Sequence, residues 1–325
     1  MSIECSLLTQ LQSLLLDKAE DGKEATISAV KIRLVLSRPL KVNAGQYVNL
    51  WIPGVNLCAW MQTHPFTVTS WSPGKQDTLD LLVQPRRGLS KDFLRYAKAA
   101  RDSSVSFFAL ISGPHGISEN VSYYETALVV ASGFGSAAVI PYVKKMIYGY
   151  NACTSQIRRV HLVWQVESKA VANSAQEQLN QPSKMTPWMM VMFVLPILHI
   201  SIYVAHDLKQ DKLPFGKHER ACLYRGLPHY ESLVSQESSG KLIEKLPNIR
   251  DEQGESLVMV SAADPIRYKL REIVRGYLHQ RVKLSELEYQ PMADKVTWSK
   301  EGVNQRALDT ECSGSCMQGI GACQD

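Results

Sequence analysis

Apolar and polar positions alternate with a period of two along the first third of the chain. Val30, Ile32, Leu34 and Leu36 are interleaved with Lys31, Arg33 and Val35. That is the pattern of a half-buried strand, and Arg38-Pro39 closes it. Residues 45–54 form a second strand bracketed by turn residues. Residues 64–71 form a third, whose first residue is held extended by Pro65. Residues 79–83 and 105–111 add two more, separated by a helical stretch over 91–100. Short strands with turns between them predict a small antiparallel β barrel. Residues 1–20 are Leu-rich and amphipathic, and read as a short helix or a remnant of something longer.

After Pro114 the rhythm changes. Residues 127–131 are wholly apolar, as in a strand buried on both faces, and lead through Ser132-Gly133-Phe134-Gly135-Ser136 into a helix ending near residue 149. Strands over 160–166, 197–204 and 257–261 alternate with helices over 170–178 and 265–280. Such alternation predicts an open parallel-sheet α/β domain. The switch falls near residues 117–125. The expected layout is therefore an N-terminal piece over 1–25, a barrel over 26–120, an α/β domain over 121–292 and a flexible Gly/Ser-containing tail over 293–325.

Composition narrows the classes. At 325 residues, 45% hydrophobic and 21% charged, the chain is globular and long enough for two domains. A net charge of +5 on scattered Lys and Arg gives no nucleic-acid-binding face, but suits an anionic cofactor or the cytoplasmic face of a membrane. Seven cysteines at irregular spacing, with no leader at the start, point to a reducing compartment. Cys312, Cys316 and Cys323 lack a nearby histidine, so no metal site is expected there. No Asp, Glu, Lys or Arg occurs between Lys184 and Asp207. Roughly 20 apolar residues span a bilayer as a helix, so 187–205 has a membrane-span reading. Pro196 and the clean alternation after it favour a buried strand over 197–204, preceded by an atypical apolar insert over 181–196.

Four stretches carry candidate chemistry. His64-Pro65-Phe66-Thr67 offers rings, a hydroxyl and backbone amides in one line, suited to the edge of a flat heteroaromatic cofactor; otherwise it is a buried hairpin strand. Phe66 or His64 would lie against the ring, and Thr67 would bond its polar edge. Gly133-x-Gly135-x-x-Ala138 follows a buried strand and opens a helix, where free N–H groups face a phosphate; the plainer reading is a tight packing turn. No acidic residue lies about 20 positions on to take a ribose, and Glu167 falls later than that spacing. Arg86-Arg87-Gly88-Leu89-Ser90 at a helix start is a pyrophosphate clamp or a solvated basic turn with a Ser cap. Gly113-Pro114-His115-Gly116 closes the barrel as a turn.

The order of these motifs resembles the ferredoxin-reductase-type flavoprotein superfamily, above all the cytoplasmic half of fungal ferric-chelate reductases and NADPH oxidases. The resemblance runs from about Thr26 to Pro291. It rests on Ala44-Gly45-Gln46-Tyr47, His64-Pro65-Phe66-Thr67, Arg87-Gly88-Leu89-Ser90, Gly113-Pro114-His115-Gly116 and Ser132-Gly133-Phe134-Gly135, in family order. It implies an antiparallel FAD-binding barrel followed by an NADPH-binding α/β domain, with electrons passing from NADPH through FAD to a one-electron acceptor. His64, Pro65, Phe66 and Thr67 would flank the flavin ring, Thr67 near N5. Arg87, Gly88, Leu89, Ser90 and Gly113 would belong to the FAD side. Ser132, Gly133, Phe134, Gly135, Ser136 and Trp164 would belong to the NADPH side, and Arg225 would hold the adenosine end. The family's Cys-Gly-Pro beside the nicotinamide is replaced by Val260-Ser261-Ala262-Ala263-Asp264, leaving Ser261 as the polar contact. Ser90 and His115 stand where threonine and tyrosine are usual. Whole reductases of this kind carry haem in membrane helices ahead of the barrel. These 325 residues contain no such helices, which suggests a fragment or a stand-alone dehydrogenase portion. The acceptor would be a ferric chelate, the haem of a membrane portion, or a soluble carrier.

Overall fold

The computed structural model describes residues 3–14, 29–55, 63–86, 88–100, 105–167, 197–205, 208, 210–215, 220–243 and 254–288. All of them fall in one compact unit, Met1–Pro291. Arg87, the helix expected over 170–178, the insert over 181–196 and the tail over 293–325 lie outside the described residues.

The first sheet has six strands: β1 (Ile3–Leu14), β2 (Ala29–Leu40), β3 (Tyr47–Trp51), β4 (His64–Thr67), β5 (Gln76–Val83) and β6 (Val105–His115), in the order β4-β3-β6-β1-β2-β5. Neighbouring strands pair antiparallel. The bridge Val68↔Leu81, with Thr69 N–H donating to Asp80 C=O at 2.8 Å, joins the two outer strands and closes a barrel. The inward residues of the period-two pattern, Val30, Ile32, Leu34, Val48, Leu50, Leu79 and Leu81, are all at 0% exposure. Helix α1 (Leu89–Ala100) lays Leu89, Phe93 and Ala97, spaced four apart, into the same core.

The N-terminal stretch corrects the sequence reading. Leu-rich residues favour helix, yet Ile3–Leu14 is a strand lying between β2 and β6, with Leu11 opposite both Ile32 and Val105. Two open strand edges with unpaired backbone groups outweigh a weak local preference.

The second sheet has seven strands in the order β10-β11-β9-β8-β7-β12-β13. They are β7 (Thr126–Ser132), β8 (Arg159–Val166), β9 (Leu198–Val204), β10 (Lys212–Pro214), β11 (Ala221–Arg225), β12 (Ser256–Ser261) and β13 (Val282–Glu286). All pairs are parallel except β10 with β11. Helix α2 (Ser136–Asn151) covers one face, over Ala127, Val129, Val160 and Ile202. Helices α3 (Tyr230–Ser238) and α4 (Asp264–Gly276) cover the other, over Leu128, Val130, Val163 and Val260. β7 and β12, apolar between their terminal Thr and Ser residues, are thus the doubly covered centre. Strands β10, β11 and β13 and helix α3 go beyond the sequence reading; each is short, and the apolar stripe of Ser-rich α3 is only Tyr230, Leu233 and Val234. Among the described residues no helix is long and apolar enough to cross a membrane, and Leu198–Val204 is a strand.

A buried polar cluster pins α3 to the sheet. Glu237 accepts from Arg159 Nε and Nη2 at 2.6 and 2.9 Å, and its Oε1 lies 2.7 Å from His161 Nδ1. His161 Nε2 lies 2.8 Å from Ser201 Oγ. Burial would raise the Glu237 pKa, but the hydrogen bonds from His161 and Arg159 outweigh it and hold the carboxylate below its usual range. Hydroxyl, imidazole and carboxylate align as in a nucleophilic triad. Ser201, His161 and Glu237 are, however, only 9%, 7% and 4% exposed in a packed face, which makes the cluster an anchor.

Candidate functional site

The site begins at β4, whose backbone pairs with β3 in the register Leu50↔His64, Val48↔Phe66 and Tyr47↔Thr67. The structure separates the two ring candidates. Phe66 points into the barrel core, 8% exposed, its ring 6.3 Å from that of Phe93. His64 is half-buried, and its Nε2 is enclosed with no hydrogen-bond partner among the described residues. Burial lowers the His64 pKa, so the ring is neutral at pH 7. An enclosed polar atom without a partner is the kind of vacancy that a polar group on a ligand satisfies. Thr67 is 7% exposed at the end of the strand.

Alongside β4 runs the segment leading into β3. Gln46 Nε2 donates to Gly116 C=O at 3.2 Å, and the Tyr47 ring lies 5.5 Å from that of His115. Gly113 is packed so closely on the Tyr47 carbonyl that a side chain there would crowd it. These contacts hold residues 113–116 beside β3; where the sequence suggested a turn, residues 113–115 continue β6, with His115 paired to Tyr47.

At the start of α1, Leu89 is buried in the barrel while Ser90 Oγ accepts from Arg86 N–H at 2.9 Å. Arg86 Nη2 reaches Gln84 Oε1 at 3.2 Å. Gly88 has open space around it, with nothing within 4 Å of where a Cβ would stand. An exposed glycine ahead of a helix start fits an anionic group. Arg87 itself lies outside the described residues.

The second half of the site lies at the carboxyl edge of the parallel sheet, the edge at which open α/β sheets hold ligands. After β7 the chain turns through a short 3-10 segment, Gly133–Gly135, into α2. Trp164 Nε1 donates to Gly133 C=O at 2.9 Å, Ser136 Oγ donates to the same carbonyl at 3.2 Å, and Ala263 N–H donates to Ser132 Oγ at 2.8 Å. Gly135 rests on the end of β12: a Cβ there would collide with the Ser261 carbonyl. Ser132, Gly133, Phe134, Gly135, Ser136, Trp164 and Ser261 therefore form one constellation. Arg225 ends β11 at the same sheet edge, exposed, with β9 and β8 between it and the turn.

Helix α2 also carries contacts that the sequence did not signal. Its Tyr142, fully buried, accepts from Glu119 N–H at 3.0 Å and fills the space where a Gly45 side chain would stand. Gly45 has φ +84°, a left-handed conformation that glycine adopts without strain. Lys144 Nζ donates to Thr69 C=O at 3.4 Å, and Tyr148 meets Trp71 edge-on with centroids 5.7 Å apart. Burial lowers the Lys144 pKa, partly offset by Asp80, whose carboxylate pairs with Arg33 at 2.9 Å and Lys31 at 3.5 Å.

Residues 24–119, which hold β2 to β6 and α1, match the family described as an FAD-binding domain. Comparison with curated proteins gives no match. Among solved structures, the chain resembles the ferredoxin reductase in carbazole 1,9a-dioxygenase, with 12% identity over 89% of this chain and 70% of that one and a TM-score of 0.51. It also resembles a flavohemoglobin from Malassezia yamatoensis, determined with bound FAD and heme, with 12% identity, 88% and 60% coverage and a TM-score of 0.52. This chain thus spans 60% of that protein's length. A ferredoxin-NADP+ reductase from Plasmodium falciparum gives 11% identity, 86% and 96% coverage and a TM-score of 0.50. At such identities the likeness is one of fold: an antiparallel barrel followed by a parallel-sheet α/β domain.

Proposed function

We propose that this chain is a flavoprotein oxidoreductase that takes electrons from NADPH through FAD to a one-electron acceptor, as the dehydrogenase portion of a ferric-chelate reductase. The observation that carries the proposal is a single framework bearing two complementary sites. One is the β4 edge with its unpartnered His64 Nε2, in a barrel that matches an FAD-binding domain. The other is the Gly133–Gly135 turn seated on Ser261. The residues present fit both groups: an unmet polar atom and a glycine with open surroundings on the barrel side, and a close-approach glycine turn at a helix start on the other.

FAD, when bound, supplies the hydride-accepting and one-electron-releasing chemistry. The chain binds and orients. Neutral His64 offers Nε2 to the polar edge of the ring, and Thr67 ends the same strand. Gly88, Leu89 and Ser90, with Arg87, take the FAD phosphates. Gly133 to Ser136 take the NADPH phosphates, Ser261 contacts the nicotinamide, and Arg225 takes the adenosine 2′-phosphate through charge-assisted hydrogen bonds. The ferric-chelate assignment rests on the order of the motifs. A dehydrogenase portion of NADPH-oxidase type shares that order and differs in its acceptor. A second reading, a nucleotide-binding remnant without useful turnover, is favoured by Ser261-Ala262-Ala263 standing where a cysteine segment is usual.

Titration of the purified chain with FAD and FMN tests the barrel assignment. FAD is expected to bind non-covalently at one per chain, and FMN, lacking the second phosphate and the adenosine, about tenfold or more weaker, or roughly 1.4 kcal/mol. Equal affinity for the two would refute the role given to the 87–90 segment.

A further inference from the structure

One helix touches both halves of the candidate site. It begins at Ser136, directly after the Gly133–Gly135 segment whose Gly135 is seated on Ser261. Six to twelve residues further along, roughly 9 to 18 Å at 1.5 Å per residue, Tyr142, Lys144 and Tyr148 grip the barrel. The gripped positions are not arbitrary. Gly45 lies two residues before Tyr47, which pairs with Thr67. Thr69 lies two residues after Thr67 and is bonded in turn to Asp80 on β5. The helix thus clamps the segments entering β3 and leaving β4, on either side of the strand proposed to hold the flavin.

We propose that α2 is a strut setting the distance between the flavin edge and the nicotinamide, with Tyr142 and Lys144 as its positioning residues. This rests on the proposed FAD- and NADPH-binding function. Each residue suits the task chemically. The Tyr142 hydroxyl is wedged against Gly45, where no side chain would fit, and takes the Glu119 N–H from the segment that joins the two sheets. Lys144 brings a cation to the Thr69 carbonyl, beside the Asp80 carboxylate that Arg33 and Lys31 already share. A packed aromatic and a half-buried charged contact on one helix resist both sliding and rotation. Hydride transfer is steep in distance, so a shift well under 1 Å at this seam is felt in rate while the remote phosphate contacts are untouched.

The test uses the full chain with Tyr142→Phe, Lys144→Met and Lys144→Arg. Without any ligand, amide hydrogen exchange across residues 64–71 and 116–119 is expected to quicken about tenfold in Tyr142→Phe and Lys144→Met. With FAD bound, FAD content and NADP+ affinity are expected within about twofold of the parent. The long-wavelength absorbance of stacked flavin and nicotinamide rings is expected to weaken, and the limiting rate of flavin bleaching by NADPH to fall about tenfold, with Lys144→Arg recovering part of it. Unchanged exchange, stacking absorbance and bleaching in folded variants would overturn the strut. So would loss of FAD and NADP+ binding in proportion to rate, which marks a merely structural role. If Tyr142→Phe alone fails to fold, the two Lys144 variants decide. A parent protein that binds no FAD, or is not bleached by NADPH, refutes the functional reading itself, a result distinct from all of these.

Discussion

At the scale of single residues, the proposed function makes Ser261 the position that would set how fast the chemistry runs. It ends β12 opposite Ala131, is 2% exposed, and its carbonyl is the surface on which Gly135 rests. The backbone around it is fixed by the Ala263 to Ser132 hydrogen bond, which ties the Gly133–Gly135 turn to the 261–263 segment. A serine supplies a smaller, less polarizable contact than a thiol, so under the proposed function a nicotinamide would be held less firmly at the reacting end. NADPH binding is therefore expected to be ordinary and flavin reduction slow. Ser261→Cys, a near-isosteric change, is expected to raise the limiting rate of flavin bleaching about tenfold, worth about 1.4 kcal/mol in the barrier, while leaving NADP+ affinity within about twofold. Rapid mixing under anaerobic conditions reads both, and an unaltered rate would remove Ser261 from the account.

At the scale of elements, the cluster beneath α3 makes stability depend on pH. Burial, followed by the positive Arg159 and then His161, lowers the His199 pKa from 6.5 to about 4; Glu237 opposes and Arg220 adds to the lowering. Between those two values the unfolded chain binds more protons than the folded one, so stability falls as pH drops from about 6.5 towards 4. Glu237, held below its usual range, acts in the same direction at lower pH. The Tm is expected to decline through that window and His199→Asn to flatten the upper part of the decline; a Tm independent of pH from 7 to 4.5 would contradict it. These elements also show what a sequence conveys. Strands β2 to β6 were legible because one side faces a core and period two survives in the text. The Gly133–Ser136 turn was legible because its requirements are local. Strand β1 was not, since a Leu-rich stretch favours helix while the vacancy between β2 and β6 fixes its state. Tyr142, Lys144 and the His161–Glu237 pair were invisible because their partners lie 75 or more positions away on the chain, apart from the nearer Glu119. Phe66 and His64 read alike in sequence, and only the strand's facing in the barrel separates a core ring from an available one.

At the scale of the whole molecule, a closed antiparallel barrel and an open parallel sheet are joined by a helix that belongs to the second and grips the first. Under the proposed function each domain offers one half of a site, and neither half alone would transfer electrons. The central claim is that the two halves work on one another, and anaerobic titration of the FAD-loaded chain with NADPH tests it most directly. The account predicts that the flavin absorbance is lost with an end point of one NADPH per flavin, at a rate that saturates with NADPH and returns to the oxidised spectrum when a one-electron acceptor is added. A flavin that stays oxidised at every NADPH concentration, in protein that binds NADP+ normally, would contradict it.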